Sequence, residues 1–380
     1  MVPRATIVAA VAALALAGSA AGSRVLVQGP VLAGDAVLWG EQGDTAASLH
    51  LWTPTRGDRV VVSDDKLSLS APPAASAKLI AFARSYPSCP PQPGIACPQE
   101  GDVLAGPVAG PFRPVAPPTT CFSGTDTFAV DAGVVAYARA DCTRNVVQVV
   151  VRDVLGGGAG RVVVEAPASS GCCFGVALAG RYVAWTNQRA GGVVVYDWRA
   201  RRLVYRAVTP SAVELGFDLA RDGSVAVAYR PPEFARNAPA TIAWFSRASP
   251  RAHVLGVHAN TTTIRFAANR IAFERTSAGH TELLLADPAG RVQTVTATSR
   301  PLELRASFDF DGRQLVWVTD RIDSTRVDCP PPGQGRPCVL RKSGVTTISR
   351  RSAAGGPIRR IAQLRFDDAI GVGGVPRRVR

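Results

Sequence analysis

The sequence predicts an all-β fold, a seven-bladed β-propeller of four-stranded antiparallel blades. Three observations predict it. An aromatic residue closes a Val/Ala-rich run at Trp39, Phe82, Tyr137, Trp185, Tyr229, Phe273 and Trp317, with successive spacings of 43, 55, 48, 44, 44 and 44 residues. The same order of short β-branched runs and turns returns around each of these aromatics. No stretch of the chain beyond its first residues shows the apolar period of an amphipathic helix. A repeating unit with four strands is the signature of a propeller, because a blade buries both faces only between two neighbours and ring closure removes the free ends. A six-bladed ring with an irregular second repeat is the alternative.

Each element follows in order. The unit opens with a short apolar run that enters a Gly, Asp or Asn turn, as at residues 31–35, 177–181, 219–223, 266–269 and 308–312. The second strand carries the aromatic. Third strands are expected at 48–52, 146–151, 193–196, 241–245 and 282–285, and fourth strands at 59–62, 161–164, 203–205, 253–255 and 292–295. Blade seven takes its outer strands from 339–350 and 357–364. Residues 24–27 precede the first unit and are the candidate outermost strand of blade seven, clasping the ring.

Composition agrees with a folded chain. Of 380 residues, 47% are hydrophobic, which excludes disorder, and 8 Cys are too sparse for a disulfide miniprotein. Residues 1–22 read as a signal peptide, with Arg4, an apolar run at 5–17 and small residues at 18–22. The propeller domain is then 24–366 and a basic C-terminal tail 367–380. The chain is expected to be secreted or extracytoplasmic, with no transmembrane segment once the signal is removed.

An oxidising compartment favours disulfides. Cys89 and Cys97 fall between the second and third strands of blade two, Cys142 in the same place in blade three, and Cys329 and Cys338 in blade seven. Cys121, Cys172 and Cys173 fall in blade-to-blade connections, so all eight map to one face. Cys89–Cys97 and Cys329–Cys338 are expected local pairs, each contributing about 2.5 kcal/mol by loop closure. The other four allow three pairings. Strain between adjacent Cys172 and Cys173 favours bonds back to Cys121 and Cys142.

Motifs for catalysis are sparse. The four His have no metal-ligand spacing, and His50 and His253 fall within strands as packing or surface residues. The glycine-rich residues 156–160 join two strands and open no helix to hold phosphate. No catalytic set, metal or cofactor is assigned. Asp35, Asp131, Asp222 and Asp311 suit turns, whereas Asp218 and Asp309 lie on innermost strands.

Two residues after each aromatic stand Glu41, Arg84, Arg139, Asn187, Pro231, Arg275 and Thr319. The charged and amide members of this set are candidate ligand-binding residues at a channel rim; solvated strand ends are the plainer reading. The net charge of +14 comes from 43 Lys+Arg against 29 Asp+Glu, and only Lys66, Lys78 and Lys342 are lysine. Arg56, Arg59, Arg152, Arg161, Arg199, Arg201, Arg202, Arg247, Arg251 and Arg291 fall on turns between third and fourth strands, opposite the cysteine face. Such a face suits an anionic surface. It lacks the aromatic interleaving of nucleic-acid binders.

The run from Asp309 through Phe310, Asp311, Gly312 and Arg313 to Trp317, Asp320 and Arg321 resembles the repeat of the TolB-like bacterial propellers, itself WD-like. Asp222-Gly223 and Ala179-Gly180-Arg181 are looser copies. Asp309-Phe310 and Ala220-Arg221 stand where that repeat has Ser-Pro. The resemblance implies a propeller fold and an extracytoplasmic protein-binding role. The expectation for function is a non-enzymatic scaffold for a protein or polysaccharide ligand, in the cell envelope or outside the cell. The alternative is a propeller lyase or hydrolase of carbohydrate with an axial carboxylate, Asp309 or Asp218.

Overall fold

The computed structural model describes residues 26–372, except 43–45, 69–71, 88–98, 116–126, 142, 168–171, 188–190, 210–213, 231–238, 260–262, 278–279, 300–301 and 329–337. Strands follow one another into seven antiparallel sheets, and no helix occurs among the described residues. Blade 1 spans residues 26–64, blade 2 67–114, blade 3 128–167, blade 4 172–208, blade 5 214–259, blade 6 264–299 and blade 7 302–372. Strands are lettered a to d outward, because the first strands of neighbouring blades touch one another around the axis. Six blades have four strands. In blade 2, strand a is split into Leu67–Ser68 and Ala74–Ala75, both paired with Leu79–Pro87. The ring is therefore seven-bladed, and the six-bladed alternative falls.

Each aromatic anchor is buried, from 0% exposure at Trp39 and Phe273 to 7% at Tyr229. Their orientation is uniform. Phe82 packs in the core between blades 1 and 2, Tyr137 between 2 and 3, Trp185 between 3 and 4, and Tyr229 between 4 and 5. Phe273 and Trp317 continue the series, and Trp39 packs onto Val316, Val318 and Ile348 of blade 7. Every anchor thus faces the preceding blade, and Trp39 closes the circle. The large ring fills space that the Ala- and Gly-rich inner strands leave open, and each such burial contributes roughly 1.5–3 kcal/mol.

The turn between strands a and b needs a left-handed residue to reverse a twisted strand pair. Gly34 (φ 67°), Gly180 (φ 61°) and Gly312 (φ 92°) supply it, which is why the repeat carries glycine there.

The clasp expected from residues 24–27 is not formed. Leu26–Ala33 is strand a of blade 1, paired with Ala36–Gln42, and strand d of blade 7 is Arg359–Val372. Val27 and Leu32 are buried against blade 7 in this arrangement, a burial that an outermost edge strand would forfeit. That last strand also takes up residues 367–372, which the sequence assigns to a tail. Residues 1–22, expected to be a signal peptide, lie outside the described residues.

Carboxylates tie inner strands across blade boundaries. Asp131 of blade 3 accepts from the Gly180 N–H of blade 4 at 2.6 Å, and Asp218 of blade 5 from Phe266 N–H of blade 6 at 2.7 Å. Asp309 of blade 7 accepts from Leu32 N–H of blade 1 at 2.8 Å, across the ring seam. Arginines do the same from strands c and d: Arg161 donates to Trp198 O at 3.1 Å and Arg350 to Asp35 O at 2.7 Å.

Candidate functional site

The inner strands of blades 1, 5, 6 and 7, with Pro72 of blade 2, enclose an axial cavity of about 350 Å³. Its wall is mostly apolar or glycine: Pro30, Val31, Gly216, Phe217, Ile264 and Phe308. Arg265, on strand a of blade 6, is its one charged lining residue among those described, and its side chain is 34% exposed. The guanidinium is held rigidly. Nε donates to Asp309 at 3.0 Å and Nη1 to the Ile264 carbonyl at 3.0 Å, while Nη2 has no partner among the described residues. Thr263 and Ser307 add polar groups to the same wall.

The two axial carboxylates flank this arginine. Asp218 accepts main-chain N–H bonds from Leu219 and Phe266, and enclosure among the inner strands pushes its carboxyl up to about 6. Arg265 and both N–H groups oppose that rise, and the Asp309 charge adds to it. Asp309 bonds Arg265 and Leu32 N–H. Both acids therefore hold neighbouring blades together. Asp222 and Asp311 accept from N–H groups of their own turns, as turn residues should.

The polar set after the aromatics stands on strand b of separate blades, and its described charged side chains each have a partner within their own blade, Arg84 also reaching Asp64 of blade 1 at 3.6 Å. Arg84 forms a two-pronged bond to Asp102 on strand c at 3.0 and 2.7 Å, and Asp102 is 3% exposed. Arg139 donates to Gln148 at 2.7 Å, and Arg275 to Glu282 at 2.9 Å. Glu41 accepts from Trp39 Nε1 at 2.8 Å. None of these lines the axial cavity. Of Asn187 only the backbone is described, and Pro231 lies outside the described residues. The cysteines fall largely outside them too. Cys89, Cys97, Cys121, Cys142 and Cys329 are not among the described residues, and Cys172, Cys173 and Cys338 are described by backbone alone. Cys172 and Cys173 open strand a of blade 4, where Cys172 faces Asn187, instead of lying in the connection before it.

His50 does more than the sequence suggested. Its Nε2 lies 3.1 Å from Ser48 Oγ and its Nδ1 3.1 Å from Asp58, with the ring stacked on Trp39 at 5.4 Å. That is the hydrogen-bond order of a nucleophile, base and acid. A second carboxylate argues against acyl transfer. Glu41 faces Ser48 across the strand pair and lies 3.6 Å from Nε2, so an oxyanion formed on a substrate at Ser48 would meet a negative charge instead of donors. Ser48 and His50 are two apart on one strand, so their shared face was readable. The approach of Asp58 depends on the turn and was not.

On the opposite turns, Arg152 and Arg161 donate to main-chain carbonyls, and Arg291 pairs with Asp287 at 2.6 Å. Part of the basic face is thus structural.

No family model matches the chain, and no curated protein matches it. Solved structures do. TolB from Acinetobacter baumannii is similar at 13% identity over 88% of this chain and 82% of that one, with a TM-score of 0.43. The acylaminoacyl peptidase of Pyrococcus horikoshii is similar at 12% identity over 89% of this chain and 52% of that one, TM-score 0.54. A prolyl endopeptidase is similar at 14% over 89% and 49%, TM-score 0.51. The shared feature is the β-propeller fold. The chain spans about half the length of each of these two peptidases, and at such identities fold carries no function with it.

Proposed function

We propose that this chain is a non-enzymatic binding propeller of the cell envelope or exterior, and that it takes a carboxylate-bearing segment of a protein ligand into the axial cavity beside Arg265. One observation carries this reading: a cavity lined by apolar and small residues, with polar groups among them, presents one pre-oriented guanidinium whose second edge has no partner among the described residues. Sites of this kind join apolar contact area to a few placed polar groups, and a guanidinium is suited to carboxylate. The residues 1–22 support the extracytoplasmic part of the reading.

The test uses an acidic peptide with a free C-terminus and its amidated counterpart, followed by fluorescence anisotropy. Binding of the free acid should fall about tenfold or more in Arg265→Met, as loss of a charged hydrogen bond implies. Equal affinity in both proteins would overturn the proposal. The rival reading, a carbohydrate lyase or hydrolase, rests on the raised Asp218 carboxyl. Polysaccharide turnover lost in Asp218→Asn would favour it, and the N–H bonds that Asp218 and Asp309 accept support a structural role instead.

A further inference from the structure

Blade 7 carries a second cavity, on the face of the a–b and c–d turns. It has a volume of about 410 Å³ and is lined by Arg313, Gln314, Arg350, Arg351, Ser352 and Arg359, among others. Four guanidiniums border one space. Several arginines elsewhere have carboxylate partners, as in Arg84–Asp102, Arg181–Asp197 and Arg275–Glu282. Here the partners are neutral. Arg350 donates to Asp35 O, and Arg351 to Gly356 O and Val295 O. These bonds fix the two side chains without cancelling their charge. The guanidiniums of Arg313 and Arg359 have no hydrogen-bond or ion-pair partner among the described residues.

The acids nearby are Asp35 and Asp311. Asp311 spends an oxygen on the N–H groups of Arg313 and Gln314, and Asp35 accepts from Gln314 Nε2 at 3.4 Å. Four cations against two anions leave the pocket positive. Arg350 is held below its usual range by burial and, against the pull of Asp35 and Asp311, by the Arg359 charge. The strain of like charges is relieved by an anion that several forks can grip at once. A phosphate fits this better than a carboxylate, because it offers more acceptor oxygens in more directions. We propose that this blade-7 pocket binds a phosphate group, free or carried on a larger molecule such as a lipid headgroup. The site is separate from the axial cavity and does not depend on how that cavity is used.

Titration calorimetry of the full chain with tripolyphosphate tests the proposal, alongside sedimentation with phosphatidylcholine vesicles with and without phosphatidylglycerol. Saturable binding to tripolyphosphate is expected, weakened about tenfold or more in an Arg313→Ala, Arg359→Ala double variant. A control double variant, Arg56→Ala with Arg251→Ala, removes two exposed basic-face arginines outside the pocket and should leave binding unchanged. Arg265→Met should also leave it unchanged, which separates this site from the axial one. Pocket-dependent binding to vesicles alone would support the proposal with a lipid headgroup as the source. Equal weakening in the control variant, or no binding to either probe, would overturn it. Since Arg313 and Arg359 make no side-chain bond among the described residues, their removal should leave the thermal midpoint in place.

Discussion

Glu274 stands on strand b of blade 6, on the same face as Ala272, which packs against blade 7. It is 7% exposed, with no hydrogen-bond or ion-pair partner among the described residues, and burial pushes its carboxyl up to about 7. A carboxyl whose folded value exceeds its unfolded value binds protons more readily when folded. Its contribution to stability therefore falls as pH rises from about 4.5 to 7, and the full penalty holds above that range. Glu274→Gln should stabilise the protein at pH 8 by on the order of 1–3 kcal/mol and change little at pH 4. Urea melts at the two pH values measure this, and a stabilisation equal at both would refute it. The His50 relay makes a second prediction at this scale. With Glu41 beside Ser48, a fluorophosphonate probe should not label Ser48, and mass spectrometry of the treated protein reads the result directly. These charges were visible as residue types in the sequence. Their partners were not, because Asp58 and Glu41 reach His50 from two different strands.

At the scale of the strand and blade, the cross-strand pair decides what a polar residue does. Arg84 and Asp102 are opposite one another on strands b and c of blade 2, and Arg84 also lies 3.6 Å from Asp64 at the end of blade 1. Removing Arg84 leaves the Asp102 carboxylate enclosed and unpaired. Arg84→Ala should cost about 3–5 kcal/mol, and an Arg84→Leu, Asp102→Leu double variant distinctly less, since no charge is then stranded. Chemical denaturation of both variants tests this. The element level was the most legible in the sequence. Trp39, Trp185 and Trp317 marked strand b, and Val146, Val149 and Val151 marked strand c by their β-branched run. Two things escaped it. Strand a of blade 2 is broken into two short pieces, and neither Leu67–Ser68 nor Ala74–Ala75 is long enough to leave an alternation pattern. Residues 24–27 read as an outer strand separate from the inner run at 31–35, whereas Leu26 and Val27 belong to the same inner strand as that run, because pairing partners are not written in the strand itself.

Over the whole molecule, closure rests on side chains. Among the described residues no strand is shared between blade 7 and blade 1. Trp39 in its apolar cluster, Asp309 on Leu32 N–H, and Arg350 on Asp35 O and over the Trp52 ring at 5.1 Å hold the seam. Trp39→Ala should cost about 3–5 kcal/mol. Hydrogen exchange should then accelerate first at residues 26–42 and 314–322, ahead of blade 4. Uniform acceleration around the ring would show that the seam opens only with the entire fold.

The repeat, its anchors and its turns were determined by the sequence alone, because the alternation that makes a strand and the glycine that makes a turn act within one unit; between six and seven blades it did not decide. The tertiary structure decided the seam, the axial cavity and the fate of each charge. Asp309 and Leu32 are 277 residues apart and meet only when the ring closes. Arg265 belongs to no repeated pattern and becomes a site because inner strands from several blades converge on it. The four arginines of blade 7 are likewise ordinary in sequence. Packing the turns together sets four guanidiniums around one space and steers the nearby acids into backbone and amide hydrogen bonds, leaving that charge for a ligand.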